Sequence, residues 1–180
     1  MKTSSIILGS LVLLLFSAAI GAEMSPAQKA KVTALLDSMS VLGKDPVIVA
    51  AVKKQNAELP AILQGLDNAK WKDLGSESPE VTSLAKNELA HYLRGKVHHT
   101  VIELFISDAE GRKVVFFTKT TSFIHKGKAK HDQPMQGKKW LGDLELDEST
   151  KQMQIQGSFP VLDNGKPIGS VVLGFWVPKL

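Results

Sequence analysis

Cysteine does not occur anywhere in the 180 residues. That excludes disulfides, thiol nucleophiles, thiolate-held zinc, iron–sulfur clusters and c-type haem, so stability has to come from a packed core. Aromatic residues are sparse at 6%, and the formal net charge of +4 is spread along the chain without a long run of Lys or Arg. No nucleic-acid partner is therefore expected. Also missing are the Gly-x-Ser-x-Gly, Walker-type, His-Glu-x-x-His and dinucleotide-binding patterns, so neither catalysis nor a cofactor is expected. The acids Asp108, Glu110, Asp147 and Glu148 fall in turns, where backbone geometry accounts for them. His91, His98, His99, His125 and His131 form no converging set in sequence, and no metal is expected. If already in a strand, His98 and His99 would point to opposite faces.

What is present begins with a short basic start, Met1-Lys2, followed by an apolar stretch from Ile6 to Ile20 and small residues up to Ala22. This reads as a secretory signal peptide over residues 1–22. An uncleaved anchor is the competing reading, although about 15 apolar residues fall short of the roughly 20 that span a bilayer. A periplasmic or secreted domain over 23–180 follows, long enough for one core.

Ser25-Pro26 is an N-cap with proline at the first helical position. Val32, Leu35, Leu36, Met39 and Leu42 recur at helical spacing, which predicts an amphipathic helix over Pro26–Leu42 stopped by Gly43. Asp45-Pro46 restarts a helix to about Asn56, and a short one is expected near Leu59–Leu63. Residues 67–78 read as a loop with Trp71 plugging the core edge. Ser78-Pro79 opens a further helix ending near Arg94-Gly95. From there alternation takes over: strands start at Val101 and Lys113 around a turn at Asp108–Gly111. Three more follow, over Trp140–Leu146, Gln152–Val161 and Ile168–Val177. Asp163-Asn164-Gly165-Lys166 supplies the last hairpin turn. Helices first and strands afterwards make an α+β domain.

Several strings occur in an order that resembles the extracytoplasmic Cache domains, PAS-like sensor modules of the PDC type. They are Asp45-Pro46-Val47-Ile48 with Ala51–Asn56, Leu66-Asp67 with Lys70-Trp71, and Ser107–Gly111. Thr120-Thr121-Ser122, Asp147–Thr150, and Pro160-Val161 with Ile168-Gly169 follow. The resemblance implies a PAS-like five-stranded antiparallel sheet, with a long N-terminal helix and further helices packed on it. It also implies ligand sensing and signal transduction. With the sequence ending at its last strand, signalling is expected to pass through a separate membrane receptor or through a homodimer formed by the Pro26–Leu42 helix. One departure matters. Where relatives carry acidic residues after Thr-Ser, this chain has Phe123, Lys128 and Ala129, so the resemblance supports architecture better than any particular ligand.

The excursion Lys119–Lys139 is basic, with Lys119, His125, Lys126, Lys128, Lys130 and His131. It reads either as a solvated loop or as a lid whose charge draws a small anion to the sheet. Hydroxyls and amides on or beside the strands complete the candidate ligand-binding set: Thr118, Thr120, Ser122, His125, Lys126, Trp140, Gln154, Gln156 and Ser158. For Gln154, Gln156 and Ser158 the alternative is the solvent face of the sheet. A second reading of the whole chain is a protein-interaction domain that kept the fold and lost its ligand. A buried cavity bounded by Ser122, His125, Trp140 and Gln156 would favour sensing; a pocket collapsed by Phe123 and Ile124, with an exposed apolar stripe on the first helix, would favour interaction.

Overall fold

A computed structural model describes residues 24–176; the expected signal peptide and Val177 lie outside them. The chain opens with α1 (Pro26–Met39), whose N-terminus is closed by a capping box. The Gln28 amide donates to Ser25 Oγ at 3.2 Å, and the Ser25 amide donates to Gln28 Oε1 at 3.0 Å, satisfying donors that a helix start leaves orphaned. Gly43 does not end this helix. Residues Ser40–Lys44 form a 3-10 turn, and a side chain at 43 would run into the Pro160 carbonyl. Glycine is there to let the turn touch the sheet.

Asp45 caps α2 (Pro46–Ala57) by accepting from the Val47 amide at 2.9 Å, and its other oxygen accepts the Tyr92 hydroxyl at 2.7 Å. A 3-10 turn at Ala61–Leu63 leads to α3 (Asn68–Asp73). The sequence reading made this stretch a loop. Asp67 instead caps a helix too short to show periodicity, with the Lys70 amide donating to its carboxylate at 2.8 Å. The single helix expected after Ser78 is two, α4 (Pro79–Ala85) and α5 (Glu88–Arg94). Asn87 breaks it, accepting from the Ala90 amide and donating to the Val114 carbonyl.

The strands are β1 (Val101–Asp108), β2 (Lys113–Phe116), β3 (Trp140–Leu146), β4 (Met153–Asp163) and β5 (Lys166–Trp176). They form one antiparallel sheet in the order β2-β1-β5-β4-β3, the PAS-like α+β architecture that was expected. The excursion is not all loop, because it contains α6 (Ala129–Met135). His98 and His99 precede β1, and their rings lie together at 4.1 Å rather than on opposite faces.

One face of the sheet is dry. Val32, Leu36, Ile48, Val52, Leu89 and Leu93 of the helices close over Leu104, Ile106, Ile155, Phe159, Val171 and Phe175. The opposite face has a smaller apolar cluster at the β2 end. There Leu63, Trp71, Val81 and Leu84 meet Phe105, Phe116, Phe123 and Val172. Trp71 is its centre, fully buried, edge-on to Phe116 and 5.5 Å from Phe123, with its indole donating to the Thr120 carbonyl at 2.6 Å.

Candidate functional site

Alternation along β4 puts Ile155, Phe159 and Val161 into the helix-side core and turns Gln154, Gln156 and Ser158 to the other face. That face is covered, not solvent-washed: Gln154 and Ser158 are buried. Glu103 faces them from β1. Its Oε2 accepts from Gln154 Nε2 at 2.8 Å and from Gln156 Nε2 at 2.6 Å, and Lys130 Nζ donates to Gln156 Oε1 at 2.6 Å. Burial raises the Glu103 pKa, and the nearby Asp147 charge adds to the effect. The glutamine can lie this close because β5 carries Gly174 opposite; a β-carbon there would collide with the Gln154 amide.

Lys113 of β2 is wholly buried on the same side. Its Nζ sits 3.3 Å from the centre of the Phe105 ring and 2.7 Å from His125 Nδ1. Burial drives the lysine well below its ordinary value and the histidine far below its own, the histidine further lowered by Lys113. An imidazole kept neutral in this way accepts at Nδ1.

The excursion closes this polar floor in two ways. Its first half is stitched to the β1–β2 hairpin and to α3. The His125 amide donates to Gly111 at 2.9 Å, and the Asn68 side chain brackets the Ile124 backbone at 2.8 and 3.1 Å. Its second half, α6, lies on β4 and β5 with His131 Nδ1 2.9 Å from Ser170 Oγ. The lid is therefore packed down over α6, and open space remains beside it. A cleft of about 380 Å³ is lined by Lys72, Lys119, Thr120, Thr121, Glu148 and Ser149. A narrow niche of about 20 Å³ lies against β3, lined by Trp140, Asp143, Glu145, Asp147, Gln154 and Gln156.

The candidate residues divide accordingly. Trp140, Gln154 and Gln156 share the niche, and Thr120 reaches the cleft. Ser122 is tied into the lid, its Oγ accepting from Lys128 Nζ at 2.9 Å. His125 and Ser158 are buried in the floor, and the Ser158 hydroxyl has no hydrogen-bond partner. Thr118, just past β2, lines neither opening, and Lys126 is paired with Glu110 at 2.7 Å on the surface. Neither of these two openings joins Ser122, His125, Trp140 and Gln156. Sequence reasoning missed Lys72, Glu103, Lys113 and the acids of β3. The signal for Glu103 and Lys113 was a charged residue inside each apolar strand.

Lys119 and Lys128 are both depressed, each chiefly by burial, and Lys128 also by Lys130. Crowded lysines of this kind gain from a neighbouring negative charge. Among the described residues no group of His, Asp and Glu could hold a metal ion, and no helix is long and apolar enough to cross a membrane.

No known family's sequence profile matches the chain, and no curated protein matches it. Among solved structures it is similar to the sensor domain of the V. cholerae histidine kinase DctB, at 15% identity and a TM-score of 0.46, over 84% of this chain and 52% of that one. It is similar also to the sensory domain of the Campylobacter jejuni chemoreceptor Tlp3 with isoleucine bound (15% identity, TM-score 0.41, 87% of this chain and 65% of that one). A third is the ligand-binding domain of the Pseudomonas fluorescens chemoreceptor CtaA in complex with L-serine (15%, 0.39, 84% and 62%). The chain spans between about half and two thirds of the length of these solved chains.

Proposed function

We propose that the chain is an exported Cache-like sensor domain that binds a small anionic molecule and signals through a separate partner. The observation that carries the reading is the cleft of about 380 Å³ beside the lid, edged by Lys72, Lys119 and Thr121; the Thr120 and Ser149 hydroxyls that border it donate to the Ser122 carbonyl and the Asp147 carboxylate. Its size suits a metabolite, and its lining combines positive charge with orienting donors. Lys128 adds to the field, and Glu148 is the one acid in the lining.

The interaction-domain alternative meets one half of its expectation, since neither opening joins Ser122, His125, Trp140 and Gln156 and Phe123 is packed fully buried against Trp71, but not the other half. Within α1 the solvent-facing positions are Pro26, Ala27, Lys29, Ala30, Lys31, Thr33, Ala34, Asp37 and Ser38, with no large apolar side chain among them, and Val41 is exposed in the turn that follows. Signalling by a homodimer through this helix would rest on small and polar contacts.

A thermal-shift screen of organic acids and amino acids tests the proposal. A ligand at 100 times its dissociation constant adds about 2.7 kcal/mol. In Lys72→Met/Lys119→Met the shift from an acid should vanish while the unliganded melting temperature holds. Affinity should also fall as pH rises, because the charged lysines do the binding and Lys119 and Lys128 lose their protons below the ordinary lysine value of 10.5. Absence of a shift from every acid would refute the sensing role.

A further inference from the structure

We propose that a cleft at the β2 edge of the sheet is a second binding site, one that takes a small neutral molecule with an apolar body and a hydrogen-bond donor. The cleft, of about 220 Å³, opens where the side-chain layers of the two faces meet beyond the outermost strand. Val114 in its lining belongs to the helix-side core, whereas Leu63 and Leu84 belong to the cluster on the opposite face. Exposed Ile62 adds to this apolar wall.

The polar part of the lining follows from how the strand edge is sealed. β1 advances one residue from Ile106 to Ser107 while β2 covers two, between Val115 and Lys113, and this bulge leaves Val114 outside the ladder. Two side-chain amides take the carbonyls freed there. Asn87 Nδ2 donates to Val114 at 3.2 Å, and Gln55 Nε2 donates to Lys113 at 3.0 Å. Gln55 Nε2 donates also to the Asp108 carboxylate at 3.1 Å. Both hydrogens of that amino group are spent on acceptors, and a flipped amide would turn its oxygen against a carboxylate and a carbonyl. The partners of Gln55 therefore fix which way it points.

The result is an acceptor with nothing to accept. Gln55 is 5% exposed and lines the cleft, yet among the described residues no group donates to its Oε1. The side-chain atoms that are both unpaired and sealed from solvent are others, Ser107 Oγ and Ser158 Oγ among them, so the Gln55 oxygen opens on the cleft. Asn87 offers no second acceptor, because its Oδ1 already caps α5. Lys54 and Glu58, one turn apart on α2, supply one charge of each sign to the lining. Both are exposed and without an ion-pair partner among the described residues. With those charges balanced, a neutral occupant fits, held by the apolar wall and oriented by one N–H or O–H. An apolar cavity of about 150 Å³ already takes up benzene, so the space suits a single ring.

Isothermal titration of the chain with phenol tests this, with fluorobenzene as the comparison, close to phenol in shape but without a hydrogen to donate. Phenol should bind saturably and about threefold or more tighter than fluorobenzene, the difference made by one hydrogen bond to a neutral acceptor. Gln55→Met removes the acceptor and should erase that preference. Because it also strips Lys113 and Asp108 of a donor, a second variant uses an exposed position. Ser83→Phe sets a ring into the lining and should abolish phenol binding with the melting temperature unchanged. Absence of saturable binding, equal affinity for the two compounds, or full affinity in Ser83→Phe would overturn the assignment. So would benzoate bound more tightly than phenol, since Lys54 would then be holding an anion. A tyrosine-bearing tripeptide bound more tightly than phenol would overturn it too, the occupant then being a protein partner. Phenol is uncharged at neutral pH, so this result stands apart from the fate of the lysine-edged cleft.

Discussion

Ser158 and Phe159 are neighbours on β4 and equally hidden from solvent, at 0% and 1% exposure, yet they face different worlds. Phe159 enters a layer that is mostly aliphatic and aromatic, its buried polar members Gln55 and Asp108 lying at the β1–β2 turn end and paired with each other at 3.1 Å. Ser158 enters one that also holds Glu103, Lys113, His125, Gln154 and Ser170. Apolar burial stabilises the chain on both sides, around Phe159 and around Trp71 alike, whereas polar burial costs free energy unless every group is paired. Gln55 and Asp108 on the helix side are paired with each other, whereas Ser107 Oγ, Gln154 Oε1 and Ser158 Oγ on the other face have no partner, so the cost of unpaired burial falls on that face.

The largest effect that would break this contrast lies on the dry side. Phe159→Ala should lower stability by about 3–5 kcal/mol, read as a drop in the urea midpoint. Next comes the polar side, with opposite sign. Lys113 has its pKa held well below 10.5 by burial, so between 10.5 and its folded value the unfolded chain binds the extra proton. Stability is therefore lost as pH falls through that window. Replacing both partners, as Lys113→Met/His125→Phe, removes that penalty and leaves neither group orphaned. Melting should rise by the equivalent of about 1–4 kcal/mol. A fall instead would mean that the polar layer is structural.

The dry face was legible in the sequence and the polar one only in part, for a physical reason. Helix period and strand alternation report which side chains leave water, and they identified Val32, Leu36 and Met39, and the alternation of β1 and β4, correctly. They do not report what meets across a face. Glu103 and Lys113 sat in strands whose other residues were apolar, and only the fold shows the carboxylate bound by two glutamines and the lysine over Phe105. Trp71 was read as a plug in a loop, because a six-residue helix is too short for a periodic signal. The excursion concealed α6, whose helical turn includes Pro134 and begins without a side-chain cap. Asp143 was invisible as a site residue because a bulge overturns the two-residue period that placed its neighbours.

A subtler effect concerns pH. The Glu103 pKa is raised above 4.5, chiefly by burial and then by Asp147. Between 4.5 and that raised value the folded chain binds a proton that the unfolded chain has lost, and stability falls as pH rises through the interval. Glu103→Gln keeps an oxygen for the two glutamine donors and cannot titrate. Its stability should be flatter than the parent's across that interval in urea unfolding, and a parallel pH profile would remove Glu103 as the titrating group.

The smallest expected change is also the sharpest form of the comparison. Ser158→Ala removes a buried hydroxyl that has no partner in the fold, so there is no hydrogen bond to lose and a desolvated polar atom to be rid of. Stability should move by less than about 1 kcal/mol, or rise, one position away from a residue whose truncation costs several times as much. If Ser158→Ala costs as much as Phe159→Ala, the hydroxyl is part of the core after all. The division between a face that folds the chain and a face that binds would then disappear. If the cost is small and the response to a ligand nevertheless changes, Ser158 belongs to the binding face, where its hydroxyl is kept for a partner outside the chain.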